Sequence, residues 1–322
     1  MTALCAASGD GVALLSPSED NWRVETAGEG SGIQCVARDP RQPDVLIGGS
    51  RGAGVWRSSD AGASWEQLDF PQPDVFSVSV SPADGALYAG CEPSMLFVSR
   101  DGGESWEELE SLRAIPSAPT WSFPPRPWTS HVRWIAPSPH DAGLLLAGIE
   151  LGGVMRSEDG GATWSDHRPG AQLDCHSLAW HPTEPGRAYE AAGGGAAWST
   201  DAGATWAAAD EGRDRHYTWA MAVDPEDPDR WFVSASTGPF AAHGRDSAEA
   251  VVYRWEGDGP WQALDGGLPR PLESMPYAFA LVDGRLVMGL SDGTVYASAD
   301  KGGTWERATL EGEAPKRIVA FA

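Results

Sequence analysis

The stretch "SEDGGATW", residues 157–164, decides the fold. An aspartate followed by two glycines is typical of a tight turn, because glycine takes left-handed backbone conformations without strain and aspartate bonds to turn amides. The pattern S-x-D-x-G-x-[ST]-W recurs at residues 58–65, 99–106, 199–206 and 298–305, and degenerate copies end at Trp22 and Trp261. Seven units of 41 to 58 residues follow from this repetition.

Each unit contains four short extended segments. In the fourth unit these are "HVRWIAPSP", "LLLAGIE", "GGVMRS" and "TWSDHRP", and they are separated by Gly, Pro and Asp without helical periodicity. Seven antiparallel sheets of four strands, arranged radially, make a β-propeller. We therefore predict an all-β, seven-bladed propeller that occupies residues 1–322 as one domain.

The two ends of the chain predict how the ring closes. The segment "RIVAFA", residues 317–322, resembles the first strand of other units, such as "YAFAL" at 277–281. The segment "ALCAAS", residues 3–8, resembles a second strand, such as "LYAGCE" at 87–92. We expect the C-terminal strand to complete the N-terminal blade, which removes an exposed sheet edge.

The repeated octapeptide resembles the Asp-box, or BNR repeat, of sialidases, sortilin-type receptors, some xyloglucan-degrading glycosidases and the photosystem II assembly factor family. The resemblance implies blade architecture and a structural role for Asp159, Thr163 and Trp164, with Ca²⁺ binding as the alternative role. Sialidases have six blades and an early Arg-Ile-Pro-like signature, whereas this chain has seven units and "RAIP" only at 113–116. No catalytic residue is carried over from them.

The charge and cysteine content exclude several classes of partner. There are 23 Lys and Arg against 46 Asp and Glu, which gives a formal net charge of -23 and disfavours nucleic acid and anionic membranes. No apolar run approaches the length of a membrane span, and no signal sequence is evident. The cysteines lack a C-x-x-C pair, so we expect free thiols in a cytoplasmic, soluble protein.

The topology of a four-stranded blade predicts which face carries the function. The turns between strands one and two and between strands three and four share one face, and the other connections share the opposite face. The Asp-boxes are turns between strands three and four. The two long insertions, residues 110–130 and 236–250, both fall on the opposite face, where long loops are typical of functional sites.

Comparing the units with one another identifies the positions that diverge at that face. Six residues before the proline that ends the first strand, or at the equivalent place, are Gln34, Phe76, Arg133, His176, Trp219 and Tyr277. Seven residues before the box serine are Arg51, Glu92, Glu150 and Ser291. Neighbouring positions, such as Val36 and Val78, are uniformly apolar and follow packing.

These two rings predict a site at the mouth of the central channel. We predict that a catalytic cluster consists of His131, Arg133, Glu150 and His176. We predict that the ligand-binding residues are Arg51, Glu92, Gln34, Phe76, Tyr217, Trp219, Tyr277 and Trp128. Trp121, Trp128 or His243 is the expected lid.

Several functions fit this cluster, and the sequence leaves them open. The first is binding of a small polar or anionic ligand, with Arg133 holding a carboxylate or phosphate, and with acid–base hydrolase or lyase activity as an extension. A divalent metal held by His131, His176, His216 and Glu150 is a further option. The alternatives are a glycoside hydrolase using Glu92 and Glu150, and a non-enzymatic scaffold or assembly factor. The scaffold would bind a protein through an exposed 110–130 loop with Trp121 and Trp128.

Overall fold

The computed structural model describes residues 3–18, 21–123, 129–257 and 259–322. These residues form seven β-sheets whose neighbouring strands are antiparallel, with one exception described below. Strands are numbered β1 to β28 in chain order, and the four strands of a blade are called a to d from the channel outwards. The predicted seven-bladed, all-β propeller is confirmed.

Blades one to three come from the N-terminal part of the chain and from its last strand. Blade one consists of β28 (Ala320–Phe321), β1 (Leu4–Ala7), β2 (Val12–Pro17) and β3 (Trp22–Ala27). Blade two consists of β4 (Ile33–Asp39), β5 (Gln42–Ser50), β6 (Val55–Ser58) and β7 (Glu66–Gln67). Blade three consists of β8 (Val75–Val80), β9 (Leu87–Cys91), β10 (Leu96–Ser99) and β11 (Glu107–Glu108).

Blades four to seven follow in chain order. Blade four contains β12 (Val132–Pro137), β13 (Leu145–Ile149) and β14 (Gly153–Ser157). Blade five consists of β15 (Cys175–Trp180), β16 (Ala188–Ala192), β17 (Gly195–Ser199) and β18 (Ala207–Ala208). Blade six consists of β19 (Tyr217–Val223), β20 (Arg230–Ser236), β21 (Val251–Glu256) and β22 (Gln262–Ala263). Blade seven consists of β23 (Pro276–Val282), β24 (Arg285–Leu290), β25 (Val295–Ser298) and β26 (Glu306–Arg307).

The ring closes in the way predicted from the sequences of the two chain termini. Strand β28 pairs with β1 in antiparallel register, Ala6 opposite Phe321. One strand was not predicted: β27 (Leu310–Gly312) lies parallel to β3 at the outer edge of blade one. It belongs to the connection between blades seven and one, and it covers an edge that would otherwise have unpaired backbone groups.

Blade four departs from the predicted four strands. In the described chain its fourth strand is reduced to a single bridge between Arg156 and Ser165. The next link of the ladder is made by a side chain, because the amide of Val154 donates to Nδ1 of His167 at 3.2 Å. The backbone hydrogen bonds of the ladder then continue, because the amide of Arg168 donates to the carbonyl of Val154.

The core of the molecule is divided among the interfaces between blades. The innermost strands contact one another in the closed order β28, β4, β8, β12, β15, β19, β23 and back to β28. Apolar clusters fill the spaces between adjacent blades, as in the cluster of Ile47, Val75 and Phe97 between blades two and three. The four cysteines form no disulfide, as expected.

The described helices are single turns in the two long connections. They are the 3-10 helices Glu110–Ala114 and Ala118–Thr120, and the α-helix α1 (Pro239–Ala242). Among the described residues, no helix has the length and apolar character needed to cross a membrane.

The Asp-box hairpins join strands c and d, and they have the structural role implied by the repeat. The carboxylate of Asp159 accepts hydrogen bonds from the Thr163 amide at 2.8 Å, the Thr163 hydroxyl at 2.6 Å and the Ser157 hydroxyl at 2.9 Å. The Trp164 indole donates to the carbonyl of Gly161. The same carboxylate bonds recur at Asp60, Asp101, Asp201 and Asp300.

Candidate functional site

The residues of the inner ring share a backbone irregularity at the start of strand a. In blades two to seven the pairing of strand a with strand b shifts at this point. Blade six also passes over Ala220, and in all six blades the residue that diverges between units is passed over. These residues are Gln34, Phe76, Arg133, His176, Trp219 and Tyr277. A β-bulge of this kind re-aims a side chain, and bulges are typical of positions next to active sites.

A line of three side chains, with a hydrogen bond at one of its two contacts, crosses blades three and four. Nε2 of His131 lies 2.6 Å from Oε2 of Glu150, and Nδ1 of the same ring lies 3.4 Å from Oε2 of Glu92. The His131 ring is buried and stacks on Phe76, with the ring centroids 4.0 Å apart. The imidazole therefore stands between the two carboxylates and holds both in place.

Arg133 joins this line to the aromatic side of the mouth. Its Nε lies 3.6 Å from Oε2 of Glu150, and its guanidinium carbon lies 4.8 Å from the centre of the Trp219 ring. A guanidinium over an indole face is held by a cation–π interaction in addition to its ion pair. Glu150 and Trp219 consequently hold the Arg133 side chain in place from two sides.

Glu150 is an anion at neutral pH because of these partners. Burial of its carboxyl would by itself raise the pKa. The hydrogen bond from His131 and the electrostatic effect of the neighbouring His131, Arg133 and His176 side chains outweigh burial and lower the pKa to about 2.

His176 presents one nitrogen to the carboxylates. Its Nδ1 lies 2.6 Å from the carbonyl oxygen of Thr218, and because a carbonyl only accepts, Nδ1 carries a proton. Nε2 faces the other way, 3.5 Å from Oδ2 of Asp174, and makes no hydrogen bond within the described residues. One ligand atom each from Glu150, Asp174 and His176 lie within 4.8 Å of one another.

Aromatic side chains of blades six and seven form the opposite wall. The Tyr217 hydroxyl donates to Nε2 of His243, and Nδ1 of His243 donates to the Tyr277 hydroxyl, which donates to the carbonyl of Ala242. This direction of donation follows because the final acceptor is a carbonyl. Burial of the His243 ring, together with the electrostatic effect of the neighbouring His176 and Arg133 side chains, lowers its pKa to about 4. His243, which was predicted as a lid residue, thus lies within this aromatic wall, and its ring centroid is 4.7 Å from that of Trp219.

The structure brings most of the predicted site together. His131, Arg133, Glu150 and His176 meet at one end of the channel, with Glu92, Phe76, Tyr217, Trp219 and Tyr277 around them. Arg51 lies at the margin, its guanidinium carbon 5.1 Å from the centre of the Phe76 ring. Gln34 links blades two and three, because its side-chain amide donates a hydrogen bond to the carbonyl of Val75 at 2.8 Å.

Three predictions about surrounding residues have other outcomes. Trp121 was expected to be exposed, and this is wrong: it is only 7% exposed and packs with Leu112 and Ile115 in the core between blades three and four. His216 does not join the proposed metal ligands, because it is exposed and its ring nitrogen lies 3.9 Å from Asp210. Trp128 lies outside the described residues.

Sequence reasoning missed Asp174, Thr218 and Phe123. The Phe123 ring packs edge-on against the His131 ring, with the ring centroids 5.3 Å apart. Thr218 fixes the orientation of His176 through its backbone carbonyl. The sequence does contain a pattern that indicates Asp174 as a site residue. Asp174 precedes His176 by two residues, as His131 precedes Arg133. Alternate residues of an extended segment lie on the same side.

The other end of the channel contains a cavity of about 290 Å³. It is lined by Trp134, Trp180 and several prolines where strands a turn into strands b. Its described lining includes no ionisable side chain. This cavity therefore offers a ligand no acid–base or charged group among its described lining residues.

The comparisons with known proteins concern the repeats and the fold. The BNR/Asp-box repeat family matches residues 97–108. A probable oligoxyloglucan-reducing end-specific xyloglucanase of Neosartorya fischeri is 30% identical over 82 residues, which cover 23% of this chain and 10% of that enzyme.

Two solved structures share the architecture at low sequence identity. A GH74 xyloglucanase from Xanthomonas campestris is 17% identical with a TM-score of 0.70, over 99% of this chain and 52% of that one. YCF48 bound to a D1 peptide is 18% identical with a TM-score of 0.60, over 93% of this chain and 84% of that one. The chain spans only a tenth of the curated relative and about half of the xyloglucanase structure. It resembles the BNR/Asp-box repeat β-propeller proteins, without matching a specific member.

Proposed function

We propose that the channel mouth binds a neutral, hydroxyl-rich small molecule, such as a short saccharide. The observation that carries this proposal is a layer of partly exposed side chains above the buried cluster. The side chains of Glu92 and Arg133 are each 17% exposed and that of Asp174 is 24% exposed, and the Arg133 guanidinium lies over the half-buried Trp219. The buried His131, Glu150 and His176 hold this layer in position.

The chemistry of the layer suits hydroxyl groups better than a negative charge. Carboxylates accept hydrogen bonds from hydroxyls, a guanidinium donates to them, and an aromatic face packs against the C–H groups of a sugar ring. An anionic ligand would instead meet the carboxylates of Glu92, Glu150 and Asp174, against which Arg133 supplies one positive charge and is already paired with Glu150. The proposal therefore narrows the polar or anionic ligand expected from the sequence to a neutral one.

Hydrolysis by the pair Glu92 and Glu150 is not part of the proposal. A retaining glycosidase places its two carboxyl groups about 5–5.5 Å apart on either side of the bond to be cleaved, and an inverting enzyme places them further apart. Here the His131 ring lies between the two carboxylates and bonds to Glu150. The substrate has no room between them. The similarity to an oligoxyloglucan-acting enzyme supports oligoxyloglucan as the first probe.

Isothermal titration with an oligoxyloglucan tests the proposal. We expect saturable binding by the unaltered chain and a Kd at least about tenfold higher for Trp219→Ala, equivalent to about 1.4 kcal/mol. His216→Ala is the matched control, because His216 is on the same face outside the cluster and should leave the Kd unchanged. Absence of binding, or equal binding by Trp219→Ala, would refute the proposal. Preferential binding of galacturonate would replace it with an anion-binding function.

A second candidate is recognition of a peptide or protein on the same face. Leu151, Leu173 and Phe240 are exposed large apolar residues, Phe240 at 95%, and each lies in a connection between strands b and c or d and a. YCF48, one of the similar propellers, is known with a D1 peptide bound. If this function holds, peptides selected from a displayed library should lose affinity for a Leu173→Ser/Phe240→Ser variant that still binds oligoxyloglucan. Equal peptide binding by both proteins would eliminate this candidate.

A further inference from the structure

We infer that Glu150, Asp174 and His176 form a binding site for one divalent transition-metal ion, of the Mn²⁺ to Zn²⁺ series. The inference goes beyond the proposed saccharide binding and does not depend on it. The three groups come from two adjacent blades and place one carboxylate oxygen each and one imidazole nitrogen within 4.8 Å of one another. A mixed set of one imidazole and two carboxylates suits these metals.

His176 is prepared as a ligand by its surroundings. The residue is only 1% exposed, and its Nδ1 is committed to the carbonyl of Thr218. In a metal site the second nitrogen of a ligating histidine is typically bound in this way, because the bond fixes the ring orientation and leaves the other nitrogen for the metal. Nε2 of His176 has no hydrogen-bond partner among the described residues.

A buried nitrogen without a partner is costly, and here it faces negative charge. Nε2 of His176 points towards Oδ2 of Asp174 at 3.5 Å, too long for a good hydrogen bond, and the buried Oδ1 of Asp174 also lacks a hydrogen bond within the described chain. A cation between these groups would satisfy the nitrogen lone pair and the carboxylates together. The combination of two unsatisfied atoms and converging charge carries the inference.

The other side chains of the cluster orient the second carboxylate. His131 bonds to Oε2 of Glu150, and Glu92 lies against the other nitrogen of the His131 ring. Gly193 leaves room for Asp174, because a Cβ at residue 193 would collide with Oδ2 of that carboxylate. These are positioning residues, since they act through the ligands.

Binding requires a small contraction of the site. Metal–ligand bonds of about 2.0–2.2 Å place the ligand atoms about 3–3.5 Å apart, so one group has to move inwards by about 1 Å. Asp174 is the group that moves, because it lies in the connection before β15 with its side chain a quarter exposed, whereas Glu150 and His176 are buried.

Titration of the chelator-treated chain with Zn²⁺ or Mn²⁺ alone, at physiological ionic strength, tests the inference. We expect one ion per chain and at least a tenfold loss of affinity in Asp174→Asn, which preserves the shape of a partly exposed side chain. His176→Gln should lose the site as well. Glu158→Gln is the matched control, because Glu158 is an exposed carboxylate on an Asp-box hairpin, and it should bind like the unaltered chain.

Two further measurements distinguish a built site from general attraction to an acidic protein. With Co²⁺ as the probe, the unaltered chain should show visible absorption bands of a bound ion that change in His176→Gln, and unfolding curves show whether that variant is folded. Failure to bind one ion per chain would overturn the inference. Several weak, salt-sensitive ions, bound equally by Asp174→Asn, would also overturn it. Because no saccharide is present, the result is independent of the oligoxyloglucan titration.

Discussion

Two buried glutamates of neighbouring blades have opposite protonation states because their partners differ. The carboxyl of Glu150 receives a hydrogen bond from His131 and lies near Arg133, and its pKa falls to about 2 despite burial. The carboxyl of Glu190 is fully buried, and among the described residues it receives a hydrogen bond only from the backbone amide of Gln172, at 2.9 Å, so burial raises its pKa to about 8. Glu190 is thus a neutral acid at pH 7, whereas Glu150 is an anion.

The protonation of Glu190 predicts a specific pH dependence of stability. Its folded-state pKa is raised above the unfolded value, so its contribution is fully present below about pH 4.5 and is lost as the pH rises through about 8. Between these values the folded state holds one more proton, and the free energy of unfolding falls by about 1.4 kcal/mol per pH unit. Urea unfolding of the unaltered chain and of Glu190→Gln at several pH values measures the difference. Parallel pH profiles for the two proteins would contradict this prediction.

At the same scale, the site was predictable in part. The divergence of residues such as Arg133 and His176 among repeating units marked the ring, because each unit serves as a reference for the others. The role of Gln34 and the burial of Trp121 depend on contacts with other segments, which spacing does not encode. Asp174 was overlooked because the comparison used single positions rather than alternate residues of one extended segment.

Among the structural elements, the Asp-box hairpin contains two glycine positions whose surroundings differ. Gly160 has φ +72° with nothing near the place of a Cβ, whereas Gly161 has φ +90° and a Cβ there would lie 2.5 Å from Cδ1 of Leu109. The other boxes agree with this difference: Ala61, Ala202 and Lys301 occupy the first position at positive φ, and the second position is always glycine.

This difference predicts unequal costs for two similar substitutions. Gly160→Ala should reduce the free energy of unfolding by about 1 kcal/mol, from left-handed backbone strain alone. Gly161→Ala adds a collision with Leu109 to that strain and should cost about 1–3 kcal/mol more. Thermal or urea unfolding of both variants measures the comparison. Equal losses would show that the hairpin does not pack as described.

The β-bulge ring was not predictable from the same signals. The sequence indicated which position diverged at the start of strand a, and the structure adds that this residue is skipped in the pairing of blades two to seven. A bulge depends on the register between two strands, and register is set by tertiary packing rather than by the local pattern of one strand. The bulge explains why these six side chains vary without disturbing the sheets.

For the whole molecule, ring closure links the two ends of the chain to the stability of every blade. Ile318 is fully buried between blades seven and one, and a Cβ at Gly289 would lie 2.6 Å from its side chain. Strand β28 pairs with β1 next to it. This closure was predictable because terminal segments carried the patterns of strands a and b, whereas the parallel strand β27 has no counterpart in the repeat.

The closure predicts that a substitution near the C-terminus acts like one in a central core. Ile318→Ala should reduce the free energy of unfolding by about 2–5 kcal/mol, the range for truncating a buried aliphatic side chain. Leu310→Ala, at the half-buried first residue of β27 on the outer edge, is the control and should cost less. Chemical denaturation monitored by tryptophan fluorescence compares them. A negligible effect of Ile318→Ala would argue against a ring held by its last strand.

A crystal structure of the protein grown with Zn²⁺ and an oligoxyloglucan tests most directly whether function lies on the face opposite the Asp-box hairpins. We expect an anomalous peak between Glu150, Asp174 and His176, and sugar density at the channel mouth against Trp219. A metal or sugar bound instead among the Asp-box hairpins, around Asp159 and its equivalents, would contradict the assignment of function to the opposite face.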